Sequence, residues 1–342
     1  MDINLNNCNI QNTFELPSPL NLKNELPLND TSKKLVIKSR NSIKDILNGK
    51  SNKKLVVIGP CSIHNYNSAI EYAKFLKTQI DLYSDKLEIV MRTYITKPRT
   101  TVGWKGYIYD PDLNNSHDIK KGIYLSRKLI LDILKIGVPC SMEHVDTIIP
   151  QFFDDLVSWA AIGARTSESQ VHRELVSGLS TPVGFKNATN GDIMVAVNGI
   201  KTASKSHNFI GCNENGKISS FSTKGNPNTH IILRGGSSGP NYYNDCINDT
   251  YIILENNRVN TSIIVDCSHD NCNKDFKKQL FVIENVIKQI NQGQNKIKGI
   301  MIESNLVEGK QSIDSNTLIY GKSITDACIN IYDTEKLLKL FK

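Results

Sequence analysis

The sequence predicts an α/β fold, a (β/α)8 TIM barrel with an N-terminal arm and a β-hairpin inserted between strands five and six. Three observations predict it. The 342 residues suit one large barrel with an appendage better than one small core or three domains. From about residue 54, short β-branched runs alternate with longer amphipathic segments, as parallel βα units require. And nearly every run ends in an ionisable residue, where barrel enzymes place their chemistry.

The eight expected strands are KLVVIG (54–59), LEIVMR (87–92), VPCSME (138–143), AAIGAR (160–165), PVGFKN (182–187), HIILRG (230–235), SIIVDC (262–267) and IKGIMIE (297–303). Between them, stretches such as NSAIEYAKFLKTQI, GIYLSRKLILDILKIG, SESQVHRELVSGLS and KDFKKQLFVIENVIKQI place apolar residues at three- and four-residue spacing and read as helices. Residues 1 to about 36 are polar and broken by Pro17, Pro19 and Pro27, and a short helix, SIKDILNG, precedes the first strand. The expected division is an arm over 1–50, serving regulation or subunit contact, and a catalytic barrel over 51–342. Within the barrel, 207–224 reads as two extended runs around the turn Asn215-Gly216, a hairpin signal.

Composition narrows the function. Hydrophobic residues are 39% and charged residues 22%, ordinary for a globular chain with a sizeable interior. No window approaches the ~20 apolar residues of a membrane span, and MDINLNNCNIQNT lacks the basic and apolar parts of a signal peptide, so a cytoplasmic protein without a membrane partner is expected. The eight cysteines show no zinc-ribbon pairing and read as buried thiols or metal ligands. The net charge of +7 comes without any Lys/Arg block or aromatic-basic ladder, which argues against nucleic acid.

The residues at the strand ends divide into two chemical sets. Arg92, Arg165, Lys186 and Arg234, with Lys97 and Arg99 of KPRTT, are cations that would repel one another without an anionic ligand; guanidinium forks suit carboxylate and phosphate. Cys61, His269, Glu303 and Asp326 mix thiolate, imidazole and carboxylate. That mixture argues against a structural zinc site and against magnesium, and favours Mn2+ or Fe2+, with Zn2+ possible. His64 and His172 sit near the rim on loop or helix sequence and read as packing residues.

GPCSIH (59–64), MRTYITKPRTTVGWKG (91–106), IGARTSESQVHRE (162–174), PVGFKN, HIILRGG, DCSHDNCNKD (266–275), IESNLVEGKQS (302–312) and YGKSITDAC (320–328) closely resemble the microbial class I 3-deoxy-D-arabino-heptulosonate 7-phosphate (DAHP) synthases. The resemblance spans essentially the whole chain. It implies condensation of phosphoenolpyruvate with erythrose 4-phosphate, the first step of the shikimate pathway. It places the metal on Cys61, His269, Glu303 and Asp326, phosphoenolpyruvate on Arg92, Lys97, Glu143, Gly163, Ala164, Arg165, Lys186 and Arg234, and the sugar phosphate on Lys97, Pro98, Arg99 and Thr100. Within that reading Lys97 is the candidate proton donor to the developing alkoxide, and Glu143 orients water.

The resemblance is strongest to the tyrosine-sensitive type and implies a homo-dimer or homo-tetramer with an inhibitor pocket at Asn7, Pro150, Gly178, Leu179, Ser180, Phe209, Gly211 and Phe221. A glycine at 211 leaves room for a ring hydroxyl, which favours tyrosine as the allosteric ligand. Rival readings are a 3-deoxy-octulosonate 8-phosphate synthase, against which KPRTT argues, a Schiff-base aldolase using Lys186, and a non-catalytic anion-binding protein.

Overall fold

Short β-branched runs buried on both faces become the strands of a closed parallel sheet, because only helices on the outside and side chains on the inside can cover them. The computed structural model describes residues 5–313 and 317–341. In chain order the strands are β1 (Lys54–Gly59), β2 (Leu87–Arg92), β3 (Cys140–Glu143), β4 (Val157–Ile162), β5 (Val183–Lys186), the inserted hairpin β6 (Asn208–Cys212) and β7 (Ile218–Ser222), β8 (Thr229–Leu233), β9 (Ile263–Asp266) and β10 (Ile297–Glu303). All but the hairpin close into one barrel in the order β1-β10-β9-β8-β5-β4-β3-β2. A small pair, β11 (Val307–Lys310) and β12 (Lys322–Ser323), follows the last barrel strand.

The helices are α1 (Pro19–Glu25), α2 (Asp30–Leu47), α3 (Tyr66–Tyr83), α4 (Ile119–Ile136), α5 (Pro150–Phe153), α6 (Gln170–Gly178), α7 (Met194–Ala203), α8 (Asn244–Asn256), α9 (Phe276–Asn291) and α10 (Ile331–Leu338). Their starts follow local chemistry. Asn29, Asn65 and Asp118 each accept a hydrogen bond from an amide three residues on, capping α2, α3 and α4, and Gly137 ends α4 in the left-handed region at φ 93°.

The segment preceding the first strand differs from expectation. Instead of a short helix over SIKDILNG, α2 runs from Asp30 to Leu47. Its outer face is lysine-rich, which masks the periodicity, but Ile43 and Leu47 pack with Leu55, Val57, Val90, Trp159, Ile232, Ile264 and Met301 of the barrel interior. The helix therefore closes the N-terminal end of the barrel. The arm is tied in further by Arg127 of α4, which grips the Asp155 carboxylate at 2.9 and 2.7 Å and donates to the carbonyl of Leu26 at 3.0 Å.

A second correction concerns strand four. It covers Val157–Ile162 rather than 160–165, because the chain turns at Gly163, whose carbonyl accepts from the amides of Thr166 and Ser167. Arg165 thus stands in the loop beyond the strand, and Arg234 one residue past β8. No helix among the described residues is long and apolar enough to cross a membrane.

Two outcomes test this packing. Ile43→Ala, which empties a fully buried site between α2 and the barrel, lowers the unfolding free energy by ~2–5 kcal/mol in urea titration. His230 is buried inside the barrel beside Trp159, whose Nε1 donates to its Nε2 at 3.1 Å, and burial pushes its pKa down to about 4. The unfolded chain then binds a proton that the folded chain refuses between pH 6.5 and 4. The stability present above pH 6.5 is therefore lost as pH falls through that window, and His230→Gln flattens the slope.

Candidate active site

The C-terminal ends of the barrel strands surround a cavity of about 730 Å³. Its walls include Lys97, Pro98, Arg99, Thr100, Glu143, Gly163, Ala164, Arg165, Lys186, Arg234, His269, Glu303 and Asp326, so most of the expected site residues share one chamber. Arg92 and Cys61 lie immediately beneath, both buried.

Arg92 is the anchor. Its Nη2 is 3.1 Å from Glu303 Oε1 and 3.4 Å from the Cys61 carbonyl, its Nε donates to the Pro60 carbonyl at 3.3 Å, and its guanidinium lies 4.0 Å from the Tyr94 ring centre. Burial works against its charge, but these surroundings outweigh it and hold the guanidinium protonated. Lys186 Nζ stands 3.4 Å from Asp266 Oδ2 and 3.8 Å from Glu143 Oε1. Burial alone would neutralise Glu143, yet Lys186, Lys97 and Arg92 hold its pKa below the usual carboxylate value. Glu143 also explains one glycine: a Cβ at Gly163 would come 2.5 Å from Glu143 Oε1. Arg165 projects from its loop and takes part in no ion pair among the described residues, and Arg234 Nη1 is 2.5 Å from Asp270 Oδ2.

Beside these cations, ligand atoms of Cys61, Glu303 and Asp326 lie within 4.8 Å of one another. His269 borders the group: its Nε2 is 3.9 Å from Glu303 Oε1, while Nδ1 faces Ser268 Oγ at 2.8 Å and Asp266 Oδ2 at 2.9 Å. An imidazole held at Nδ1 by a carboxylate and a hydroxyl presents Nε2 to the donor cluster, as metal-ligating histidines do. The donors already behave as a cation site, because the Lys97 ammonium lies against them, 2.7 Å from Cys61 Sγ and 3.0 Å from Asp326 Oδ2. Burial and the Glu303 charge push the Cys61 thiol up to about 12, and a dication among the same donors would reverse that. Soft thiolate, imidazole and carboxylate together fit a divalent transition metal.

Several wall residues escaped the sequence reading. Asp266 and Asp270 both lie within the DCSHD motif, but nothing in the sequence shows that one faces His269 and Lys186 and the other Arg234. Thr189, Ser237 and Lys310 reach the cavity from loops and from β11, where strand periodicity carries no signal. His172 is a packing residue, bonded to Ser169 Oγ and the Val145 carbonyl, and burial keeps His64 neutral with its pKa down to about 4.

The appendages are described by their own contacts. Phe209 and Phe221 stack at 5.3 Å with an interplanar angle of 11°, and a Cβ at Gly211 would meet both rings at 3.3 and 3.1 Å. The base of the hairpin meets α6, where Thr223 Oγ1 is 2.7 Å from Ser177 Oγ and its methyl lies 3.1 Å from a Cβ placed on Gly178. Leu179 packs against the core, Ser180 is exposed and Pro150 opens α5. Asn7 lies on the exposed arm at φ 60°, and the arm touches the hairpin tip where Lys23 pairs with Glu214 at 2.6 Å.

Residues 27–339 match the DAHP synthetase I family. The chain belongs to that family. Among its relatives, the tyrosine-sensitive phospho-2-dehydro-3-deoxyheptonate aldolase of Escherichia coli K12 is 45% identical, covering 98% of this chain and 94% of that protein. The tryptophan-sensitive enzyme of the same organism is 47% identical over 95% of this chain and 93% of its own length. The structure of the Francisella tularensis SCHU S4 phospho-2-dehydro-3-deoxyheptonate aldolase superposes with a TM-score of 0.95 at 48% identity, covering 97% of both chains. A DAHP synthetase I barrel is therefore the frame on which these side chains are arranged.

Within this family member the two kinds of cation separate on mutation. Lys186→Met strands Glu143 and Asp266 as buried charges and destabilises the fold by ~3–5 kcal/mol. Arg165→Ala changes stability by no more than ~0.5 kcal/mol, since Arg165 is exposed, yet weakens anion binding. Chemical denaturation and calorimetric titration of phosphoenolpyruvate separate the two effects.

Proposed function

We propose that the chain condenses phosphoenolpyruvate with erythrose 4-phosphate and water to give DAHP and phosphate, the entry reaction of aromatic amino acid biosynthesis. The observation that carries this reading is the joining of a polycationic pocket and a Cys61/Glu303/Asp326 donor cluster, with His269 at its edge, in a single cavity of a DAHP synthetase I barrel. Arg92, Arg165, Lys186 and Arg234 hold the phosphate and carboxylate of phosphoenolpyruvate, and Lys97, Pro98, Arg99 and Thr100 receive the sugar phosphate. The two substrates meet with C3 of one facing the aldehyde carbon of the other, and this positioning is the larger part of catalysis. Cys61, His269, Glu303 and Asp326 would hold a divalent ion, manganese or ferrous iron by donor type with zinc as an alternative, which would supply Lewis acidity toward the aldehyde oxygen.

As the carbon–carbon bond forms, Lys97 gives a proton to the aldehyde oxygen. Burial disfavours its charge, but Cys61, Asp326 and Glu303 outweigh burial and keep it protonated in readiness. Glu143, ionised among cations, accepts a hydrogen bond from water and directs its oxygen to C2, after which the C2–O bond to phosphate breaks. The hairpin and α6 serve regulation, with an aromatic amino acid as the ligand and tyrosine favoured; the stacked Phe209 and Phe221 beside Gly211 offer aromatic surface for its ring. The exposed Phe14 of the arm and Ile210 and Ile218 of the hairpin support a homo-oligomer, a dimer or tetramer.

Metal-replete protein consumes phosphoenolpyruvate only when erythrose 4-phosphate is added and releases one phosphate per turnover, and Cys61→Ala abolishes this. Faster turnover with arabinose 5-phosphate would contradict the substrate assignment. Tyrosine lowers the rate in the same assay; inhibition by phenylalanine or tryptophan but not by tyrosine would overturn the regulatory reading.

A further inference from the structure

The opposite end of the barrel carries a second concentration of positive charge with no role in this chemistry. A cavity of about 600 Å³ opens between the C-terminus of α2 and the starts of β9 and β10. Lys296 and Lys298 line it, with the carboxamides of Asn48 and Asn260 and the ring of Tyr251, and no aspartate or glutamate among its walls. Lys54, at the start of β1, donates from Nζ to the Ile297 carbonyl at 2.9 Å, and Lys296 Nζ bonds Asn248 Oδ1 at 2.6 Å and lies 4.9 Å from the Tyr251 ring centre. None of the three lysines takes part in an ion pair among the described residues.

Lys296 and Lys298 line the cavity without a carboxylate, and Lys54 lies near enough to feel the charge of Lys298, an unbalanced arrangement. The carbonyl end of α2 offsets part of the charge, since Leu47, its last residue, and the following Asn48 and Gly49 form one wall. The remainder shows in the groups themselves: burial, then the charge of Lys298, pushes Lys54 down to about 8, and burial lowers Lys298 as well. An anion entering here would meet compact point charges with rotatable donors and carboxamide N–H groups, the set that suits phosphate oxygens. We propose that this lysine-lined cavity at the N-terminal end of the barrel binds a phosphate-bearing anion, at a site separate from the substrate cavity.

Trace acylation with acetic anhydride tests this on metal-loaded protein free of phosphoenolpyruvate, a phosphate ester that would otherwise occupy the cavity in every arm. Rates for individual lysines are read by peptide mass spectrometry in inorganic phosphate, in glycerol 3-phosphate, and in potassium chloride of equal ionic strength. Lys97 and Lys186 report separately on the barrel mouth, so a failure of the substrate assignment is visible as such. A bound anion raises the pKa of Lys298 in the cavity and of its neighbour Lys54, so both should be acylated at least ~5-fold more slowly than in chloride. Protection by inorganic phosphate alone assigns the free ion, and stronger protection by glycerol 3-phosphate assigns a phosphate ester. In K296Q/K298Q the protection of Lys54 disappears while kcat is retained, which also shows that the variant folds; K298Q alone gives partial loss. Equal rates in all three solutions, or protection of Lys54 that survives in K296Q/K298Q, overturns the proposal.

Discussion

Arg92 and Glu303 form the contact on which the rest of the site depends. Both are nearly inaccessible, at 1% and 2% side-chain exposure, and neither charge could remain at that depth alone. Each comes from the last residue of a barrel strand, β2 and β10, and the two strands flank β1 on either side. The pair fixes the distance between the cationic half of the rim and the donor half, because Glu303 belongs to both: it partners Arg92 and stands with Cys61 and Asp326. In the proposed reaction a metal ion and an anionic substrate would therefore act on a shared carboxylate rather than on independent sites.

That arrangement places demands on the barrel below. Buried charges hold their geometry only where the strands do not yield, and the interior beneath them is filled by buried apolar side chains. Ile43 and Leu47 of α2 seal the far end around Trp159 and Met301, and the same Met301 lies 2.9 Å from Arg92 Nη1 through its sulfur. Packing runs without interruption from the closing helix to the guanidinium. The surface loops add what the strands cannot: Arg165 and Arg99 reach over the mouth from irregular backbone, free to adjust to a ligand. Rigid charges below and adjustable ones above suit a cavity that must hold two small anions in register.

Much of this was legible in the sequence because a buried parallel strand announces itself twice, by a β-branched run and by the polar residue that ends it. Glu143, Lys186 and Glu303 fall where that rule puts them. The rule misplaced strand four by treating Arg165 as its end, since small residues at 160–164 continue the apolar run past the turn that Gly163 makes. Helix α2 was underestimated because its exposed lysines dilute a buried face that only the barrel interior explains. Asp266 and Asp270 stayed hidden for a different reason. Residues 266 and 270 flank His269 in sequence, but which of them faces Lys186 and which faces Arg234 is set by a single helical turn after β9.

In the arrangement proposed above, the thiolate of Cys61 and the carboxylates beside it form one metal site sharing Glu303 with the anion pocket. Optical titration of chelator-treated protein with Co2+ tests it most directly, because thiolate coordination gives a ligand-to-metal charge-transfer band that oxygen and nitrogen donors do not. Such a band is expected at one equivalent of cobalt, lost in Cys61→Ser and altered when phosphoenolpyruvate binds. Cobalt binding without a band, or a band unchanged in Cys61→Ser, would contradict it.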